Sequence, residues 1–397
     1  MEQNIQEKSL IKTVIDQRIS KYQWMVIALC FLIALFDGFD TQAVAFTAPA
    51  LLVHFDLETG ALAPILTAGI VGMTIGAMLL GLVGDKLGRR KTLIICTAIF
   101  SLATIFIAYV TSVDQILVLR FIAGLGMGGA TPVLLALAAE YSPQRFKGTV
   151  TTGVLLALPA GAMLGGLLAA KILPVLGWQG IYLIGGGFPL LLLFVMYFLL
   201  PESLEYLAQN NKSSSLRSIQ KILNKISPGI GEIKAKDLLQ PNKTQQQKAK
   251  LAILFQNNLA RTTIGVWGTY FFNWIAWFML LSWLPTVLKQ AGLAPENAPY
   301  ASVTVNAAFI LFALPLAYWL PKVNTAKILT FMLITGLVIV AALGLFIESN
   351  QWGYIFALIA LAGFGIGGQQ LALNYLVVAA YPTQVRATAT GWAIGMG

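Results

Sequence analysis

Two aspartates, Asp37 and Asp40, lie three residues apart within an apolar stretch that is long enough to cross a bilayer. A carboxylate at membrane depth costs roughly 2.5–3.5 kcal/mol on insertion scales, so such residues usually face a cavity where they bind protons, ions or substrate. At helical spacing i, i+3 the two acids share one face. The pattern therefore predicts a proton-coupling pair on a face directed toward a pore.

Arg120 is the counterpart of these acids, because it is the only basic residue predicted to lie within the hydrocarbon. A guanidinium there requires a carboxylate from the protein or from a substrate. One interpretation pairs Arg120 with Asp37 or Asp40 until that acid is protonated. In a second, Arg120 binds the carboxylate of the substrate through two parallel hydrogen bonds. A static ion pair that only stabilises packing is the third.

The surrounding chain has the composition of an all-α polytopic membrane protein. Hydrophobic residues make up 57% of its 397 residues and charged residues 11%, and the mean hydropathy is +0.77. Windows of about 20 apolar residues predict ten membrane-spanning helices. They cover residues 23–50, 62–83, 92–110, 114–138, 149–170, 179–200, 258–288, 299–320, 327–347 and 353–379. An eleventh begins near residue 384 and reaches the chain end at Gly397.

The net charge of +10 is distributed as a topology signal. When the loops are assigned alternately to the two sides, 23 of the 26 Lys and Arg fall on the side of the N-terminus, and only Lys171 and Lys289 fall opposite. Because cytoplasmic loops collect basic residues, residues 1–22 are predicted to be a cytoplasmic N-terminus. The basic excess is therefore not interpreted as a nucleic-acid-binding surface.

A hydrophilic segment divides the chain into two halves. Residues 201–257 are rich in Ser, Gln and Lys, which predicts a cytoplasmic connector between a six-helix half at 23–200 and a second half at 258–397. The halves repeat, since the glycine-rich run at 124–129 returns at 363–368. Parallel six-helix repeats are typical of secondary transporters. By the same offset the last one to two helices are missing, so we expect a shortened form of a longer protein.

Several motifs resemble those of the major facilitator superfamily. The loop at 81–91 resembles its signature loop, and so do Arg120 with the glycines that follow it, the segment 140–148, and the motif 201–203. Residues 37–40 and 47–51, together with 381–388, further resemble the aromatic acid:proton symporter family. That family imports benzoate, hydroxybenzoates, vanillate and cis,cis-muconate. The resemblance implies a monomeric symporter of the bacterial inner membrane that uses protons as the coupling ion and needs no other cofactor.

The signature loop is predicted to form a gate. Gly84 and Gly88 permit a tight reversal of the chain, and the resemblance implies that Asp85, Gly88 and Arg89 form a cytoplasmic latch that holds the outward-open state. Glu140 and Arg145, after the fourth span, are interpreted as gate residues near Asp85, or alternatively as solvated helix ends. Arg386 occupies the matching place in the second half. The second-half counterpart of the loop, at 318–327, has no acid and no glycine, so that latch is in doubt.

Aromatic and polar residues in the later spans indicate a substrate. The seventh span is dense in Trp, Tyr and Phe, whose rings could stack on a planar substrate or anchor the helix at the lipid interface. Gln370 adds to a polar stripe on the tenth span. The candidate substrate contacts are Gln42, Arg120, Asn273, Trp274, Gln369 and Asn374.

Together these features predict a proton-coupled importer of an organic carboxylate, such as an aromatic acid or its ring-cleavage diacid. The alternatives are a membrane sensor that binds such acids without moving them, and a carrier for a different organic anion or a sugar-like solute. An enzyme is disfavoured, because the sequence has one histidine, no metal-ligand cluster and no phosphate-binding loop. Cys30 and Cys96 lie inside predicted spans, so neither a disulfide nor a metal site is expected.

Overall fold

The computed structural model describes residues 10–209, 213–228, 254–255, 259–349 and 351–381, and within these ranges every regular element is helical. The all-α prediction is therefore confirmed. Contacts divide the chain into two compact units. The first comprises Met1–Gly165 and Ile172–Lys243, and the second comprises Gly166–Lys171 and Thr244–Gly397.

The first unit contains six of the predicted spans and three shorter helices. Its helices are α1 (Leu10–Ile15), α2 (Lys21–His54), α3 (Leu62–Leu87), α4 (Arg89–Ile107), α5 (Val113–Glu140), α6 (Lys147–Leu199), α7 (Leu204–Gln209) and α8 (Ser213–Ile226). Ser20 begins α2 with a capping box, in which its hydroxyl accepts from the backbone of Gln23 and its own N–H donates to the Gln23 side chain.

Helix α6 contains the fifth and sixth predicted spans. A straight helix of its 53 residues would be about 80 Å long, more than twice the ~30 Å hydrocarbon core. The helix is interrupted at Gly177, whose φ of 64° lies in the left-handed region that glycine adopts without a Cβ clash. The break leaves an apolar segment on each side that is long enough for one crossing.

The second unit contains the remaining described spans. They are α9 (Leu259–Gln290), α10 (Pro299–Trp319), α11 (Thr325–Phe346), and α12 (Trp352–Ala362) with α13 (Gly368–Ala380). The last two are joined without a loop by a π-helical turn, Gly363–Gly367. The expected eleventh span, from residue 384, lies outside the described residues.

The glycine-rich run of the first unit allows two helices to approach backbone to backbone. A Cβ on Gly124 or Gly128 of α5 would clash with main-chain atoms of α3, and a Cβ on Gly84 of α3 would lie 3.0 Å from the side chain of Val133 on α5. This run is therefore a helix-packing surface. The close approach fixes the position of α5 next to α3. It thereby also fixes the main-chain position of Arg120, which lies on α5.

Candidate functional site

An ion pair lies between α2 and α5. Arg120 Nη1 is 3.1 Å from Asp40 Oδ2 and donates a second hydrogen bond, of 3.2 Å, to the main-chain oxygen of Asp40. Asp40 has no exposed surface and Arg120 is 3% exposed. Of the pairing partners that the sequence left open, the structure therefore brings Asp40 to Arg120.

A hydroxyl from a third helix completes the surroundings of Asp40. Thr104 Oγ1 on α4 donates to Asp40 Oδ1 at 2.7 Å, so both carboxylate oxygens have a donor. Sequence reasoning missed Thr104. A signal for it does exist, because Thr97, Ser101 and Thr104 recur at helical spacing and all three are buried. A polar stripe on an otherwise apolar span indicates the face that meets a polar partner.

Asp37 is also fully buried, but its partners differ in kind. Thr131 Oγ1 donates to Oδ2 at 2.9 Å and Thr41 Oγ1 donates to Oδ1 at 3.4 Å. Among the described residues no cation forms an ion pair with this carboxyl. Because an isolated buried carboxylate is far more costly than a neutral acid and no cation in the described part of the chain offsets that cost, this site is suited to taking up a proton.

The guanidinium of Arg120 retains donor capacity. A guanidinium has five N–H donors, and within the described residues its buried Nε has no acceptor. Gly69 of α3 borders the same group, since a Cβ at this glycine would lie 3.2 Å from Nη2. Gln42 on α2 is 4% exposed, and its Oε1 likewise has no donor in the described part of the chain. Arg120 Nε could donate a hydrogen bond to a ligand, and Gln42 Oε1 could accept one from it.

The predicted contacts of the second unit form a polar network between α9 and the π-helical turn. Asn273 Nδ2 donates to Gln369 Oε1 at 3.0 Å and to the main-chain oxygen of Ile366 at 3.1 Å. Gln369 Nε2 donates to the main-chain oxygen of Met332 at 3.1 Å. Both amides are at least 96% buried, so this network holds the π-helical turn against its neighbours. Such turns occur frequently at functional sites.

Two further candidates lie on the same pair of helices. Tyr270 donates its hydroxyl hydrogen to Asn374 Oδ1 at 2.6 Å. Trp274, one turn after Tyr270, stacks on Phe278 with ring centroids 5.3 Å apart and an interplanar angle of 22°. The structure thus brings Asn273, Trp274, Gln369 and Asn374 together in the second unit, while Gln42 and Arg120 belong to the first.

A separate network surrounds the junction of α3 and α4. Gly88 connects the two helices with a φ of 94°, a conformation that favours glycine. Arg89 then forms an ion pair with Glu140 at the end of α5. Ser203 Oγ donates to the other oxygen of Glu140 at 2.6 Å, and Glu205 lies 3.9 Å from Arg89. The sequence predicted Gly88, Arg89 and Glu140 here, but not the two residues that follow α6.

Glu202 holds the start of α4. Its Oε1 accepts from the backbone N–H groups of Arg90 and Ser203 at 3.0 and 2.9 Å, and its main-chain oxygen accepts from the Tyr141 hydroxyl at 2.8 Å. A Cβ on Gly88 would clash with the Glu202 carboxylate. We call Gly88, Arg89, Glu140, Glu202 and Ser203 the Gly88 network. Glu202 and Ser203 belong to the motif at 201–203, whose sequence alone does not indicate what these residues contact.

Of the other predicted gate residues, Gly84 accepts from the backbone N–H of Gly88 at 3.1 Å, whereas Arg145 has no hydrogen bond or ion pair with the described members of this network. Arg145 is exposed, and its guanidinium lies 4.9 Å from the ring centroid of Phe146. The side chain of Asp85 and the whole of Arg386 lie outside the described residues.

Comparisons with known proteins give one consistent result. The model of the Major Facilitator Superfamily matches residues 30–397. The 4-hydroxybenzoate transporter PcaK of Pseudomonas aeruginosa is 33% identical over 381 residues, which are 96% of this chain and 84% of that protein. A gallate transporter of Pseudomonas putida is 34% identical over 98% of this chain and 85% of its own length. The inward-open xylose transporter XylE of E. coli shares the fold, with a TM-score of 0.72 at 18% identity over 94% of this chain and 86% of that one.

Proposed function

Because the chain belongs to the major facilitator superfamily, and within it to the aromatic acid transporter family, we propose that it imports an aromatic carboxylate together with protons. The relatives that are named for 4-hydroxybenzoate and gallate support this substrate class. 4-Hydroxybenzoate and gallate each carry one carboxylate on a planar ring.

The observation that carries the proposal is the buried Asp40–Arg120 pair. Protonating Asp40 leaves the Arg120 guanidinium without its counter-charge, and a substrate carboxylate can take that place. Substrate and proton therefore favour each other, since an unpaired buried charge is costly whichever partner is absent. Two ligands that each favour the binding of the other show positive coupling, and the coupling is reciprocal.

Asp37 is proposed as the second proton-coupling residue. Its carboxyl is held by the hydroxyls of Thr131 and Thr41 rather than by a cation, so gaining a proton there leaves no charge unpaired. It lies one helical turn before Asp40 on α2. In this scheme Asp37 and Asp40 exchange protons with the two sides of the membrane, while Arg120 alternates between Asp40 and the substrate.

Symport suits an anionic substrate for an electrical reason. Moving one negative charge against an inside-negative potential costs about 2.3 kcal/mol per 100 mV. One accompanying proton removes that cost, and a second makes entry favourable. The bacterial relatives support a place in the bacterial inner membrane, and the distribution of Lys and Arg supports a cytoplasmic N-terminus. On that orientation the Gly88 network lies at the cytoplasmic side, where we propose that it acts as the latch of the outward-open state.

Uptake into liposomes tests the proposal. The full chain is reconstituted, and entry of radiolabelled 4-hydroxybenzoate and of cis,cis-muconate is followed with and without an inward proton gradient. We expect the gradient to accelerate uptake of the aromatic acid several-fold, and we expect alkalinisation of the outer medium to accompany entry. Uptake that is unaffected by the gradient would contradict proton coupling. If neither acid entered the liposomes, the proposed substrate class would be contradicted.

A further inference from the structure

The facing surfaces of α9 and α13 have a defined register. Tyr270 on α9 bonds to Asn374 on α13, while Asn273, further along α9, bonds to Gln369, which comes earlier on α13. The helices therefore run antiparallel where they meet. The position one helical turn after Tyr270 on α9 is therefore at the same level as the position one turn before Asn374 on α13. The residues at these two places are Trp274 and Gln370.

This second position differs from the first in its hydrogen bonding. Tyr270 and Asn374 bond to each other directly, at 2.6 Å. Trp274 Nε1 and Gln370 Oε1 are both buried atoms, and within the described residues the indole N–H has no acceptor and the amide oxygen has no donor. Buried polar atoms of native proteins are normally paired, so this donor and this acceptor, which the helix register brings to the same level, are available to a bound ligand.

The chemistry of the two atoms restricts what that partner is. The indole N–H only donates, and an amide oxygen only accepts. A hydroxyl satisfies both at once, because its oxygen accepts and its hydrogen donates. A carboxylate would satisfy the indole but would leave two acceptors facing each other. An unsubstituted ring edge would satisfy neither atom.

The neighbouring rings favour an aromatic carrier for that hydroxyl. Trp274 stacks on Phe278, which fixes the plane of its indole, and Trp277 packs edge-on against Phe309 with ring centroids 5.5 Å apart. We propose that Trp274 and Gln370 bind a ring hydroxyl of the substrate, so that the chain selects hydroxylated aromatic acids over benzoate. This inference rests on the proposed transport of aromatic acids, whose substrate class it narrows.

Two variants each remove the hydrogen-bonding group of one of these side chains. Trp274→Phe keeps an aromatic ring but has no N–H, and Gln370→Met keeps the length of the side chain but has no amide oxygen. Trp319→Phe is the matched control, because Trp319 lies in the same unit and is 61% exposed. For each protein, KM is measured in proteoliposomes for 4-hydroxybenzoate and for benzoate, and binding of both acids to the purified chain in detergent is measured by equilibrium dialysis.

We expect the wild-type chain to bind 4-hydroxybenzoate about tenfold more tightly than benzoate, which is about 1.4 kcal/mol and the size of a typical hydrogen-bond contribution. Each variant is expected to lose that preference by raising KM and Kd for 4-hydroxybenzoate, while the values for benzoate stay within about twofold. The control is expected to keep the preference. Monodisperse elution of each variant checks that it is folded, and the two variants test the site independently.

The failures of the two proposals are distinguishable. Equal wild-type affinity for both acids, or variants that change both acids alike, would overturn the hydroxyl site while leaving transport of aromatic acids intact. If the wild-type chain neither binds nor takes up either acid, the proposed function itself fails, and the hydroxyl site fails with it.

Discussion

Arg120 donates from one nitrogen, Nη1, to both the carboxylate and the main-chain oxygen of Asp40, at 3.1 and 3.2 Å. The guanidinium is therefore attached to the backbone of α2 as well as to its side chain. A change at the Asp40 carboxyl alone removes the counter-charge but leaves one hydrogen bond that keeps the guanidinium in place. The pair is thus arranged so that its charge balance can change without loss of its geometry.

Replacement of Asp40 by Asn should lower both stability and transport. It leaves the buried Arg120 charge without its carboxylate, and breaking a buried pair from one side costs about 3–5 kcal/mol. We expect a fall of several degrees in the midpoint of thermal unfolding in detergent and loss of gradient-driven uptake. The double variant Asp40→Asn/Arg120→Met removes both charges and should recover stability but not transport. Equal destabilisation in the single and double variants would contradict this account.

Replacement of Asp37 by Asn should separate stability from coupling. The amide oxygen can still accept from Thr131, and no cation loses its partner, so we expect the free energy of unfolding to change by less than about 1 kcal/mol. Proton-driven uptake should fall at least tenfold, whereas exchange of labelled for unlabelled substrate across the membrane should continue. Asp40→Asn is the matched comparison, and full gradient-driven uptake by Asp37→Asn would exclude Asp37 from coupling.

The helices could be predicted from sequence, and much of the side-chain pairing could not. Apolar runs of bilayer length are a local property, so each described span was found, including the two that meet at Gly177 in α6. Whether Arg120 meets Asp37 or Asp40 depends on how α2 and α5 cross, because both acids lie on one helical face. The hydroxyls of Thr104 and Thr131 come from α4 and α5, and their distances depend on the same packing.

The Gly88 network shows the same division between local and long-range signals. Gly88 and Arg89 could be predicted from sequence because both lie in one short motif. Glu202 accepts from the backbone N–H of Arg90, 112 positions away in the chain, and Ser203 donates to Glu140, 63 positions away. The motif that contains Glu202 and Ser203 gives no indication of these contacts. Contacts of this kind follow from how the helix ends meet, which neither hydropathy nor spacing describes.

Replacement of Gly88 by Ala should disturb this network. With φ 94° and ψ 149°, Gly88 has a backbone conformation that is essentially restricted to glycine, so a residue with a Cβ costs roughly 1–3 kcal/mol there, and the added carbon would clash with Glu202. We expect reduced thermal stability and slower uptake. Gly148→Ala is the control, because nothing lies within 4 Å of a Cβ at that position and alanine favours the helix. Wild-type stability and uptake in Gly88→Ala would show that the strain is relieved elsewhere.

The two acids beside Arg89 should contribute very unequally. Glu140 is 6% exposed and has both an ion pair and the Ser203 hydroxyl, whereas Glu205 is 44% exposed and lies 3.9 Å from Arg89. Glu140→Gln should therefore destabilise the purified protein by about 1–3 kcal/mol, because it leaves a partly buried charge unpaired. Glu205→Gln should change stability by less than about 0.5 kcal/mol, since exposed ion pairs contribute little.

Thermal unfolding of both variants at low and high salt tests this, because only the exposed contribution should be screened. Equal effects of the two substitutions would mean that Arg89 is held by both acids alike, and the latch would then not depend on Glu140.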